Sequence, residues 1–221
     1  MPDSTDATGG QDSARDRMQD LNTFLRRLPV WPLYPLGLLP AVWLFWLGLT
    51  GGLGPDPMKV LENRLGEIGL QLLVACLLVS PLRWTTGLSF LRFRRAIGLL
   101  AFLYVALHVA TWLFLDLQLN WGEIWKDLTR RPYIMIGMAG FAAMLPLALT
   151  SNAAAVRRMG AAAWQRLHRL VYLAAVAGAV HYILLVRAWP VEPILYLATI
   201  LFLLMLRLPA VRRRLPGQRR R

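Results

Sequence analysis

Six apolar stretches, near residues 31–50, 67–85, 96–115, 132–150, 169–188 and 192–208, constrain this chain more than anything else in it. Each approaches the ~20 residues that a helix needs to cross a hydrocarbon core of ~30 Å. Within such a core every backbone polar group must be satisfied inside its own segment, so apolar runs of this kind span as helices. The expected fold is an all-α integral membrane protein, a bundle of six transmembrane helices. Composition agrees: 57% of the 221 residues are hydrophobic and the mean hydropathy is +0.46, more apolar surface than a soluble domain carries. Pro190 and Pro193 crowd the start of the short sixth stretch, so a tight turn is expected before it. Residues 1–20 read as a disordered cytoplasmic tail, 21–208 as the bundle and 209–221 as a basic cytoplasmic tail. The polar, acidic N-terminus has no apolar core of a cleavable signal peptide.

Charge sets the orientation. Nineteen of the 25 basic residues fall in the two tails, in the second–third and fourth–fifth connections, and at the span ends beside them. The opposite side holds Lys59, Arg64, Lys126, Arg130, Arg131 and Arg187, balanced by Asp56, Glu62, Glu67, Asp116, Glu123, Asp127 and Glu192. By the positive-inside rule both termini face the cytoplasm. The formal charge of +13 is therefore a topology signal, and no reading element for nucleic acid accompanies it. Cys76 is the single cysteine, which excludes a disulfide framework and any cysteine-ligated metal or iron–sulfur centre. In the outer 116–131 loop, Trp121 and Trp125 share a face if the loop is helical. They read as interface anchors before a docking surface.

Three histidines remain, and ionisable groups inside a membrane are functional by default. One alone could simply bond a carbonyl. His108 lies thirteen residues past Arg95, and His181 twelve past Arg169, on two spans that both run outward. At ~1.5 Å per residue both imidazoles sit about 18–20 Å beyond the basic boundary, so they are level. Two level histidines without cysteine or an intramembrane carboxylate are too few for zinc. They suffice for a flat macrocycle whose iron takes one imidazole from each side. Gly178, Ala177 and Ala174 on the face of His181 leave room for a porphyrin edge, though small residues also serve helix packing. Tyr104 and Trp112, four residues either side of His108, are expected as walls of the same pocket. His168 is rotated ~140° from the face of His181 on an ideal helix. Its partner on span three would be Arg94 or Arg95, which leaves open a five-coordinate heme, or a contact to a flavin, a quinone or a propionate.

The stretches GGLGPDP (51–57), RRAIGLLAFLYVALH (94–108), TRRPYIMIG (129–137), LALTSN (147–152) and WQRLHRLVYL (164–173) carry a resemblance from about Trp31 to Arg207. Together they resemble the ferric-reductase-like transmembrane domain of NADPH oxidases and metalloreductases. Within it they resemble the MsrQ (YedZ) family of heme-binding subunits of the bacterial periplasmic methionine sulfoxide reductase system. The resemblance implies a six-helix b-type cytochrome of the bacterial inner membrane, carrying one or two hemes b and using FMN. It implies electrons drawn from the quinone pool or a cytosolic flavin reductase. The implied recipient is a periplasmic molybdopterin-containing subunit that reduces methionine sulfoxide in oxidised proteins, so the final chemistry lies in the partner. His108, His168 and His181 match the family's histidine positions. Two departures from the wider superfamily stand out: span three has no second histidine, and the chain to Arg221 leaves no room for a flavin and nicotinamide domain.

The expected function is thus electron conduction, with His108 and His181, and also His168, as candidate iron ligands. Arg64 and Arg131 are candidate propionate holders, with Arg130 and Arg187 beside them, because a guanidinium matches a carboxylate bidentately. A stand-alone ferric or quinone reductase of the same fold is the first rival. A small transporter is disfavoured because the carboxylates fall in loops and tails, with only Glu67 at a span's edge. The fragment Gly87-Leu88-Ser89 lacks the closing glycine of a hydrolase elbow.

Overall fold

The computed structural model describes residues 6–186 and 191–212, and every regular element among them is helical. Helix α1 (Asp6–Arg27) precedes α2 (Leu33–Leu49), α3 (Pro57–Thr86) and α4 (Arg94–Ala110), which continues through a π-helical turn at Thr111–Asp116. A short α5 (Trp121–Arg130) leads into α6 (Pro132–Leu149). The brief helices α7 (Ala153–Met159) and α8 (Ala161–Leu167) bring the chain to α9 (Leu170–Leu185), α10 (Val191–Met205) and α11 (Pro209–Arg212). Four runs are long and apolar enough to cross a membrane: α3, α4 with its π turn, α6, and α8 with α9. Helices α2 and α10, of 17 and 15 residues, are shorter apolar helices. Each of the six expected stretches holds a helix, and the tight turn expected before the sixth lies outside the described residues.

Two boundaries differ from the sequence expectation. Helix α3 starts at Pro57, ten residues early. Asp56 caps it by accepting from the Lys59 amide (3.1 Å), and Pro57 sits in the first turn, where its missing N–H costs nothing. The charges that look like loop are paired along the helix, Lys59 with Glu62 (3.2 Å) and Arg64 with Glu67 (3.0 Å). Against the expectation of a disordered tail through residue 20, α1 is helical from Asp6. Its Asn22 reaches the turn after α3, donating to the Gly87 carbonyl (3.1 Å) and accepting from the Ser89 amide (2.9 Å). Gly87 ends α3 at φ 80°, a left-handed cap that turns these backbone groups toward α1. Composition carries no trace of those two bonds. Of the basic tail expected from 209, Pro209–Arg212 is helical and the rest lies outside the described residues.

Packing pairs α3 with α4 and α6 with α9, and the main core lies where these pairs and α10 meet. Leu70, Leu73 and Leu77 of α3 contact Ala174, Ala175 and Ala179 of α9 and Ile200 and Leu203 of α10 in that cluster. Small residues let backbones approach, as lipid-embedded helix packing requires. Two polar ties cross this core. The Tyr104 hydroxyl donates to the Gly37 carbonyl (2.7 Å) and accepts from the Ala41 amide (3.1 Å), entering the α2 ladder beside Pro40. Pro81, inside α3, cannot donate to the Leu77 carbonyl one turn back, and Arg207 Nη2 donates there instead. Arg207 also donates to the Tyr172 hydroxyl (3.2 Å) and lies over its ring.

Helix α5 is capped by Asn120, which accepts from the amides of Gly122 and Glu123. Its inner face, with Ile124, packs on Trp112 and Ile134. Trp121 and Trp125 are 74% and 71% exposed on the other flank.

Candidate functional site

Each of the two level histidines is fixed by the neighbouring helix of its pair. His108, on α4, donates its Nδ1–H to the Glu62 carbonyl of α3 at 2.8 Å. His181, on α9, donates its Nδ1–H to the Tyr133 carbonyl of α6 at 2.7 Å. A carbonyl only accepts, so these bonds select the tautomer with its proton on Nδ1 and leave the Nε2 lone pair available. The two ring centroids are 6.1 Å apart, with planes crossed at 77°. Both rings line one cavity of about 690 Å³.

A side chain one turn past either carbonyl would press on the ring that reaches it. A Cβ on Gly66 would lie 3.0 Å from His108 Nδ1, and one on Gly137 would lie 2.8 Å from His181 Nδ1. The glycines one turn further on, Gly69 and Gly140, receive Val105 and Ala177. Sequence reasoning missed Gly66, Gly137 and the two carbonyls. The signal was present: ENRLGEIG (62–69) and YIMIGMAG (133–140) place two glycines at the same offsets near the starts of their helices.

The cavity wall is apolar at depth, with Leu70, Leu73, Val105, Phe141 and Met144, and polar toward the end of the bundle where α3 and α6 begin, with Lys59, Glu62, Arg64, Asp116 and Arg131. Ala174 and Gly178 line it as expected, while Ala177 is taken up in packing against Gly140. Trp112 is a wall. Tyr104 is not: its hydroxyl is spent on α2, which corrects the sequence expectation.

The candidate cations that the structure describes in this site are engaged. Arg64 pairs with Glu67, and Arg131 pairs with Asp127 (3.1 Å) and donates to the Tyr133 hydroxyl (3.3 Å). That hydroxyl bond is the main reason the Arg131 guanidinium is held above its ordinary pKa, burial opposing it only in part. Arg130 is exposed on α5, and Arg187 lies outside the described residues. His168 is not brought to the histidine pair. It caps α8, stacks on Trp164 with ring centroids 3.8 Å apart, and its Nε2 meets Thr150 Oγ1 at 3.1 Å. Trp164 in turn donates to the Thr150 carbonyl (3.0 Å). Among the described residues no cluster of three or more His, Cys, Asp or Glu could hold a metal ion, so a metal here would rest on the two imidazoles.

A family model described as ferric reductase like transmembrane component matches residues 65–179, a span that includes His108 and His168 and stops just short of His181. The protein-methionine-sulfoxide reductase heme-binding subunit MsrQ of Brucella anthropi is 47% identical over 194 residues, 87% of this chain and 88% of that relative. This chain belongs to the MsrQ family. Counterparts with the same MsrQ description from Brucella ovis and Brucella canis are 48% identical over the same length. The fold of a ferric-reductase-like transmembrane component is therefore that of the bundle described above, with the histidine pair on α4 and α9. No solved structure matches the chain.

Proposed function

We propose that this chain is a membrane b-type cytochrome that conducts electrons to a methionine sulfoxide reductase catalytic subunit. The observation that carries the reading is the pair of imidazoles, 6.1 Å apart in one cavity, each with its Nδ1 tied back to a helix carbonyl. The residues fit a heme. Two metal–nitrogen bonds of about 2 Å each, with half a ring beyond either end, span roughly 6 Å. A carbonyl bond to the far nitrogen is the usual support of a metal-bound histidine. The cavity volume lies in the range of cofactor pockets, about 300–1,000 Å³.

In this reading His108 and His181 would hold the heme iron through their Nε2 atoms. Ala174 and Gly178 leave the space for a flat ring, and Leu70, Leu73 and Phe141 exclude water from it. Lys59, Arg64 and Arg131, at the polar end, are the cations available to propionates; all three already hold carboxylates and would share them. Bound heme supplies a one-electron carrier in a water-poor site. The apolar wall keeps both ring nitrogens from solvent, and the carbonyls keep the Nδ1 protons in place throughout. We assign His168, with Thr150 and Trp164, to a cofactor contact at the cytoplasmic end, and the resemblance, which implies one or two hemes b and FMN, supports a heme or a flavin as what it meets. The resemblance also supports the bacterial inner membrane, cytoplasmic termini, a quinone-pool or flavin-reductase donor, and a periplasmic molybdopterin partner.

Co-reconstitution tests the assignment. Proteoliposomes holding the chain and the catalytic subunit of the same system are expected to reduce methionine sulfoxide with quinol, and to stop with His108→Ala. Equal turnover without this chain, or brisk ferric-chelate reduction without the partner, contradicts it.

A further inference from the structure

The two histidine supports repeat one plan. On α3 the Glu62 carbonyl is followed by Gly66 and Gly69; on α6 the Tyr133 carbonyl is followed by Gly137 and Gly140, at identical spacing. His108 and His181 donate to the first member of each set. Gly69 receives Val105 and Tyr104, three and four residues before His108. Gly140 receives Gly178 and Ala177, three and four residues before His181. Two helix pairs of unrelated local sequence thus hold their imidazoles in the same way. Generic helix packing explains Gly69 and Gly140, which meet aliphatic or backbone atoms. It does not explain Gly66 and Gly137, whose missing methyls face ring nitrogen.

We propose that Gly66 and Gly137 are positioning residues that set the plane and protonation of the two imidazoles, and so the crossed geometry of the pair. The proposal rests on the reading of His108 and His181 as axial ligands. An imidazole is rigid, with two torsions to place it, and at 2.8–3.0 Å a methyl would overlap its Nδ1. The ring must then turn or retreat, which lengthens the Nδ1–H···O bond and swings Nε2 with it. That bond fixes the tautomer and raises the basicity of the coordinating nitrogen. Ring planes near perpendicular, here 77°, keep the iron's two dπ orbitals nearly equal in energy. The signature of that equality is a strongly anisotropic low-spin ferric EPR signal, where parallel rings give a rhombic one.

The test uses purified full-length chain loaded with heme. The parent is expected to give the strongly anisotropic signal. Gly66→Ala and Gly137→Ala are expected to insert normally, alanine being the better helix former. They should show an altered EPR envelope and heme retention about 10–100-fold weaker. Gly98→Ala, whose Cβ would meet only Cys76 Sγ at 3.8 Å, should match the parent. A rhombic parent signal overturns the proposal, and it decides alone if the alanine variants fail to accumulate. So do alanine variants with the parent's spectrum and retention, or a Gly98→Ala variant as perturbed as they are. If the low-spin signal survives in both His108→Ala and His181→Ala, the ligand reading itself fails, a different result from unchanged glycine variants.

Discussion

At the scale of single residues, the height of His108 and His181 was legible because helical rise is nearly constant, so counting from Arg95 and Arg169 places both rings. Direction was less legible. Tyr104 lies one turn from His108, yet its hydroxyl leaves the cavity for α2, where it joins the Gly37 carbonyl to the Ala41 amide. Which neighbour claims a hydroxyl depends on where Pro40 opens the adjacent ladder, and no single-helix pattern records that. Tyr104→Phe is expected to lower stability by about 1–3 kcal/mol, the cost of leaving buried groups unsatisfied. The heme spectrum should be unchanged, since Tyr104 does not line the cavity. A denaturant titration in detergent, followed by absorbance, reads both. Loss of heme at unchanged stability contradicts the assignment. Counting along an ideal helix did not fix His168, because the helix breaks at His168–Arg169; its bond to Thr150 Oγ1 and stack on Trp164 place the ring instead.

At the scale of elements, all six apolar helices could be read from hydropathy, because the bilayer imposes length. Their ends could not. The first turns of α3 carry four charges in nine residues, 59–67, and only their pairing within the helix shows that it continues there. The glycine repeat was visible as letters, but it gains meaning only when α3 meets α4 and α6 meets α9. Helix α3 also depends on the residue just past α10. Pro81 frees the Leu77 carbonyl and Arg207 takes it, so Arg207→Met is expected to cost about 1.5–3 kcal/mol, as for hydrogen bonds to charged groups. In a Pro81→Ala background the cost should shrink, because an alanine at that position restores the N–H that the carbonyl lacks. A double-mutant cycle gives the coupling, and strictly additive effects contradict the link.

For the whole molecule, the account is of two helix pairs, α3–α4 and α6–α9, each presenting one carbonyl-tied imidazole to a shared cavity. The proposed topology, with the basic face toward the cytoplasm, is tested by reporter fusions to both termini: cytoplasm-active and periplasm-inactive fusions at each end are expected. The central claim is that His108 and His181 jointly hold one heme, and heme content per mole of purified chain measures it most directly. A pyridine hemochrome assay should show that either His108→Ala or His181→Ala loses the heme bound between them and its low-spin spectrum. Either variant retaining the parent's heme content and low-spin spectrum contradicts the account.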